Sequence, residues 1–253
     1  MKNIIILASF FVATTGTTKA QQQFITKADI EFEVKTNIKK TIGNSSWAEQ
    51  FKDILPQFKT SYFKFTFNNN KSIYRFDRWA DGPKVPEWMR RDDEQNIYFM
   101  DYDLGKITQQ KMIVGSAFMV ADSMPKIKWR ITNESREIAG FNCRKAVGVI
   151  MDSVYVFAFY TDEIVIPGGP CSINGLPGMI LGLTIPRLYM SFIATKVTVN
   201  GVKEDEIKPV DSKKYNNRKE LKTLITERAK EWSSDGDEDS KSWANQFIWS
   251  ALL

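Results

Sequence analysis

Cys171-Ser172-Ile173-Asn174-Gly175-Leu176-Pro177-Gly178-Met179-Ile180-Leu181-Gly182-Leu183 joins a proline–glycine turn to an uncharged apolar run. Proline at 177 presets φ near −65° for the second position of a type II turn, and Gly178 accepts the positive φ of the third. Residues 179–185 then run apolar and without charge, the pattern of a strand buried on both faces. A tight turn feeding a buried strand is an anchor for a sheet. It speaks to architecture and carries no catalytic constellation.

Strand patterns extend outward from this anchor. Residues 28–35 alternate, with Ile30, Phe32 and Val34 on one face and Glu31, Glu33 and Lys35 on the other. Residues 58–67 set Phe63, Phe65 and Phe67 against Tyr62, Lys64 and Thr66. After the turn residues Asn68, Asn69 and Asn70, residues 71–78 return as the second arm of a hairpin. Further strands are predicted at 97–102, 106–112, 116–121, 126–132, 142–151, 154–161 and 189–200. The breaks between them are short, which favours antiparallel neighbours, because a parallel crossover needs a dozen residues or more. A sheet of ten or more strands must curl, close or split. The expected fold is mainly β: a large curved antiparallel sheet, half-barrel or barrel-like. A short N-terminal helix (Trp47, Phe51, Ile54, Leu55, closed by Pro56) and a C-terminal helix striped by Leu221, Leu224, Ile225 and Ala229 accompany it.

The anchor also carries a resemblance. Gly175-Leu176-Pro177-Gly178-Met179-Ile180 resembles the signature of the GLPGLI family of secreted Gram-negative bacterial proteins. Trp129-Arg130-Ile131-Thr132, Ile138-Ala139-Gly140-Phe141-Asn142-Cys143 and Phe159-Tyr160-Thr161-Asp162 agree with it in order, over residues 129–199. Met179 stands where that family has leucine, and no tryptophan precedes Tyr160. The resemblance implies an exported protein rich in β structure. It implies no reaction and no catalytic residue.

Residues 1–20 read as a signal peptide: Lys2, an apolar core from Ile4 to Ala13, and small residues Thr18 and Ala20 at the cleavage site, giving a mature start at Gln21. Residues 21–210 form the expected β domain and 211–232 the helix. Residues 233–253 are an acidic linker with an apolar C-terminal segment. Nothing in the mature chain approaches the roughly 18 uncharged residues of a spanning helix. The expected setting is the periplasm or the outer-membrane surface. Without Lys2 and Lys19, 33 basic residues stand against 30 acidic, a balance that gives no footprint for nucleic acid.

The chain has no histidine. That removes the usual general base, the commonest metal ligand and the commonest partner of a nucleophilic serine. No catalytic residue, metal or cofactor is expected. Cys143 and Cys171, in an exported chain, suggest a disulfide worth about 3.6 kcal/mol in the chain-entropy model. Two buried thiols, or a soft metal site shared with Met179 and Met190, are the alternatives. The segment from Trp79 to Arg91 holds Trp79, Trp88, Arg90 and Arg91 among prolines, either as a binding lip or as a loop capping the core. Asp92, Asp93 and Glu94 read as solvated turn charges. The function expected is non-enzymatic binding or scaffolding in the cell envelope with an unknown protein partner. Carriage of a lipid or other hydrophobic ligand in a half-barrel cavity, lined by Phe63, Phe65, Phe67, Phe157 and Phe159, is the alternative.

Overall fold

The computed structural model of the chain describes residues 24–43, 50–51, 53–232 and 238–253. The expected signal peptide, Trp47 and the first part of the acidic linker lie outside them. Eleven strands form one open antiparallel sheet. They are β1 (Lys27–Asn37), β2 (Phe58–Asn68), β3 (Lys71–Trp79), β4 (Ile97–Asp101), β5 (Lys106–Ile113) and β6 (Ser116–Ser123), then β7 (Trp129–Ile138), β8 (Phe141–Ile150), β9 (Val154–Thr161), β10 (Met179–Ile185) and β11 (Met190–Thr198). The spatial order is β6-β5-β4-β3-β2-β1-β11-β10-β9-β8-β7. Two meanders therefore meet in the middle, where the first strand pairs with the last, Val34 opposite Phe192 and Thr36 opposite Met190. Among the described residues lie the α-helices α1 (Ile38–Ile42), α2 (Glu87–Gln95), α3 (Arg218–Trp232) and α4 (Glu238–Leu252), and residues 50 and 51, within the expected N-terminal helix, are helical too.

Register explains the core. Phe32 lies opposite Phe63, Ile30 opposite Phe65, Phe65 opposite Tyr74 and Tyr74 opposite Tyr98. Directly paired residues share a face, so these rings form one apolar inner surface. Phe63 and Tyr74 stack with centroids 5.0 Å apart. Phe32 and Phe65 are fully buried, each contributing roughly 1.5–3 kcal/mol of burial. Of the phenylalanines expected around a cavity, Phe157 and Phe159 are only partly buried, under the cations of Lys145 and Arg136.

The segment 162–178 lies inside the curl of the sheet. Ile164, Ile166, Ile173 and Leu176 are at most 2% exposed. A Cβ at Gly168 would stand 2.5 Å from the Tyr102 hydroxyl and 2.9 Å from Cζ of Phe65, so this backbone touches the opposite meander. The turn at Pro177 departs from the expected type II form. Gly178 N–H donates to the Leu176 carbonyl at 2.8 Å, and Gly178 has φ +139°. The i→i+2 bond makes a γ-type turn about Pro177. Glycine is still required, because a Cβ at 178 would meet the Thr161 carbonyl oxygen at 2.0 Å.

Three further expectations are corrected. β7 runs to Ile138 instead of ending at 132, because its register shifts between Ile131 and Ser135 and its polar second half does not alternate. The Trp79–Arg91 loop ends early: α2 begins at Glu87, behind Pro86 at the N-cap and with Glu87 favouring the helix dipole. On α3, Leu221, Ile225 and Ala229 are buried but Leu224 is exposed. The apolar C-terminal segment docks as α4, with Phe247 and Leu252 packed against Ile113, Val120, Leu221 and Ile225.

Gly178→Ala is expected to cost about 2–5 kcal/mol, the sum of a positive-φ strain and a backbone overlap. Gly201→Ala, also at positive φ but with nothing within 4 Å, should cost about 1 kcal/mol. Urea unfolding of both variants checks the contrast.

Candidate functional site

A cavity of about 1300 Å³ opens between the inner face of the sheet, α1, α2 and α4. It is larger than the 300–1,000 Å³ usual for small-molecule sites. The sheet supplies Val34, Phe63, Met190 and Phe192 as apolar wall; α1 adds Ile38 and Ile42, and the C-terminal segment adds Phe247 and Leu253. The alternation of β5 puts Ile107, Gln109 and Lys111 on the inward face. Lys111 is thus carried into an apolar surface and is 3% exposed.

Around Lys111 the cavity floor is polar. Its ammonium donates to the Tyr98 hydroxyl at 2.9 Å. The Tyr98 hydroxyl in turn hydrogen-bonds the Cys171 thiol, delivered by the inner segment. Tyr74 stands beside Tyr98, ring centroids 5.9 Å apart. Burial acts on each group in the direction that removes charge. It pushes the Lys111 ammonium down to about 8, and the Cys171 thiol up to about 12. Tyr74 and Tyr98 are held well above the ordinary phenol range by the same desolvation. Burial also raises the Asp92 carboxyl, against backbone hydrogen bonds from Val114 and Gly115. Asp93 pairs with Lys59 at 2.7 Å. Asp92 and Asp93 therefore line the cavity as partnered acids, not as the solvated turn charges expected.

The sequence-predicted site residues divide. Trp88 and Arg91 line the cavity mouth from α2. Trp79 and Arg90 point elsewhere and share one carboxylate: the Trp79 indole donates to Glu94 at 2.7 Å and Arg90 at 2.9 Å. Trp88, half-exposed, meets Phe51 edge-on at 6.2 Å. Gly175, at φ +92°, donates its N–H to the Pro167 carbonyl and belongs with Pro177 and Gly178 to the inner segment. The expected Cys143–Cys171 bridge is not formed; both are buried thiols. Cys143 sits on β8 near Arg136 with its thiol turned to the Phe141 carbonyl, whereas Cys171 faces Tyr98 and Lys111. Burial raises the Cys143 thiol to about 11, so neither is a ready nucleophile.

Lys145 pairs with Glu134 at 2.8 Å. Among the described residues no group of three or more cysteine, aspartate and glutamate side chains is placed to hold a metal ion. No described helix is long and apolar enough to cross a membrane. Lys111, Tyr98 and Tyr74 are not singled out by the sequence reading. The available signal is a lysine two positions after Gln109 and four after Ile107, on the face that strand alternation assigns to the core.

With this geometry in place, comparison with known proteins gives a family. The model of the N-glycanase peptide, N-terminal domain, matches residues 90–225, more than half of the chain. The chain belongs to that family. Lys111, Tyr98, Asp92 and Cys171 lie within the matched residues; Tyr74 and α4 lie outside them. No curated protein matches it. Among solved structures, PNGF-II in a P21 crystal form is similar at 14% identity with a TM-score of 0.48, over 76% of this chain and 31% of that one. PNGF-II in a C2 form gives 12% and 0.49, over 89% and 33%. An uncharacterized conserved protein from Thermus thermophilus gives 8% and 0.37, over 75% and 90%. The chain spans about a third of the length of the two PNGF-II chains.

A lysine that sheds its proton on folding makes stability rise with pH between its folded value, about 8, and its unfolded value, about 10.4. The folded state binds fewer protons than the unfolded state across that window. Removing the amine should flatten the rise. The difference in unfolding free energy between Lys111→Met and the parent, measured by urea titration from pH 7 to 10.5, should change by up to about 3 kcal/mol.

Proposed function

We propose that this chain is a non-enzymatic binding domain of the cell envelope that holds a hydrophobic ligand in the inner-face cavity. The observation that carries the reading is the cavity itself, about 1300 Å³ with apolar walls from three directions and a small polar floor. Ligand sites have that make-up: mostly apolar lining with a few placed polar groups that fix orientation. Export is supported by the signal-like residues 1–20 and by the resemblance of residues 129–199 to the GLPGLI proteins. A lip formed by Trp79 and Trp88 together has less support, since Glu94 holds Trp79 away from the mouth.

The family match favours one further reading. The family is described as the N-terminal domain of an N-glycanase peptide, and the present chain would serve a glycanase as a binding companion. That both thiols are buried and that Asp92 and Asp93 have partners supports a binding part for this cavity.

Native mass spectrometry of the full chain, purified without detergent, tests the first reading. The expected result is an added apolar mass that organic extraction removes, with the protein mass itself that of two free thiols, about 2 Da above the bridged form. A bare mass before extraction would sink the tightly held ligand. For the second reading, the purified chain alone should release no N-glycan from a denatured glycoprotein; release detected by glycan labelling would make it an enzyme.

A further inference from the structure

The charge pattern of the cavity specifies the head group of its ligand. The acidic groups facing the cavity have partners: Asp93 has Lys59 at 2.7 Å, Asp92 has the backbone N–H groups of Val114 and Gly115, and Glu87 has Arg91 at 4.0 Å. The buried cation does not. Among the described residues Lys111 forms no ion pair, and its one hydrogen bond goes to a neutral phenol. An ammonium has three donors, and a buried charge left unpaired is costly.

Polar side chains in the same cavity are also short of partners. The hydroxyl of Tyr74, the hydroxyl of Thr36 and the amide nitrogen of Gln246 are buried without a hydrogen bond among the described residues. All three residues line the cavity, and none is more than 9% exposed. Each can donate. A cation and several idle donors on an apolar surface are complementary to an acceptor that carries negative charge.

We propose that the cavity binds an amphiphile with a single carboxylate head, the head seated against Lys111 and the Tyr74 hydroxyl and the alkyl chain lying along Phe63, Val34, Phe192 and Met190. This deepens the binding reading above and rests on it. The carboxylate supplies the missing counter-charge and accepts from the donors. The wall of β1, β2 and β11 shields the chain from water. The groups facing Lys111 are Tyr98 from β4, Cys171 from the inner segment and Asp92 and Asp93 from α2, with Tyr74 of β3 beside Tyr98. The thiol and both phenols keep their protons between pH 7 and 9. Carboxylate affinity should therefore fall over that range as Lys111 becomes neutral.

Isothermal titration of the full chain at pH 7 with dodecanoate and dodecyltrimethylammonium below their micelle concentrations, and with dodecanol below its solubility limit, tests the head group at constant tail. Dodecanoate should bind at a single site at least about tenfold tighter than dodecanol, and the trimethylammonium compound more weakly still. Lys111→Met should remove that preference, bringing dodecanoate to within about twofold of dodecanol. Tyr74→Phe, which keeps the ring packing, should weaken dodecanoate severalfold and serves if the lysine variant does not fold. Equal binding of dodecanoate and dodecanol, or a preference for the cation, overturns the carboxylate head while the cavity remains a binding site. Failure of all three to bind overturns the binding reading as well.

Discussion

The structure depends on a stretch of irregular backbone held inside a sheet. Segment 162–178 has no ladder of its own, yet most of it is buried, and every buried N–H and C=O needs a partner. Local bonds meet much of that need. Met179 donates to the Ile164 carbonyl at 3.1 Å and Ile180 to that of Gly168 at 2.9 Å. Asn174 bonds the carbonyls of Ser172 and Pro125, and its own carbonyl accepts from the Trp129 indole at 2.9 Å. Side-chain-free positions make the approach possible: at Gly169 a Cβ would stand 2.9 Å from the Ile173 carbonyl. With this segment in place an open sheet acquires an interior, and Cys171 is brought to the cavity floor.

The same packing explains why the floor is polar. The inner face is built for rings and aliphatic side chains, and β5 delivers a lysine to it. A charge there is tolerated because elements distant in sequence surround it: Tyr98 on β4, Cys171 on the inner segment, and the acids of α2. The end of α2 is tied to β5, Asn96 accepting from the Met112 N–H at 2.7 Å and Gln110 donating to the Gln95 carbonyl at 2.8 Å. A helix bound in this way holds Asp92 and Asp93 at a set distance from Lys111. Their field raises the lysine's proton affinity, but burial lowers it more.

Much of the fold is legible in the sequence. β9 and β10 have the expected bounds, and the Asn68–Asn70 hairpin and the curled antiparallel sheet follow from alternation and short breaks. The second half of β7 and α2 escape that reading because neither shows a clean period: one is the end of an edge strand carrying Asn133, Glu134 and Ser135, the other a charged helix introduced by Pro86. The candidate site is legible only in fragments. Trp88 and Arg91 reach the cavity, Trp79 and Arg90 do not, and the two cysteines lie in separate surroundings.

Alternation and turn chemistry are local properties, written along roughly 5 to 15 residues, so most strands, their antiparallel sense and the inward row of Phe63, Phe65 and Phe67 are encoded locally. Which inward polar residues meet is a non-local property. Lys111, Tyr98 and Tyr74 come from the adjacent strands β5, β4 and β3, and only the curl of the sheet and the pairing of β1 with β11 bring Cys171, from the inner segment of the other meander, to them. The charge state there is non-local as well, because burial, which sets Lys111 and Cys171 against ionisation, exists only once the surrounding elements have packed.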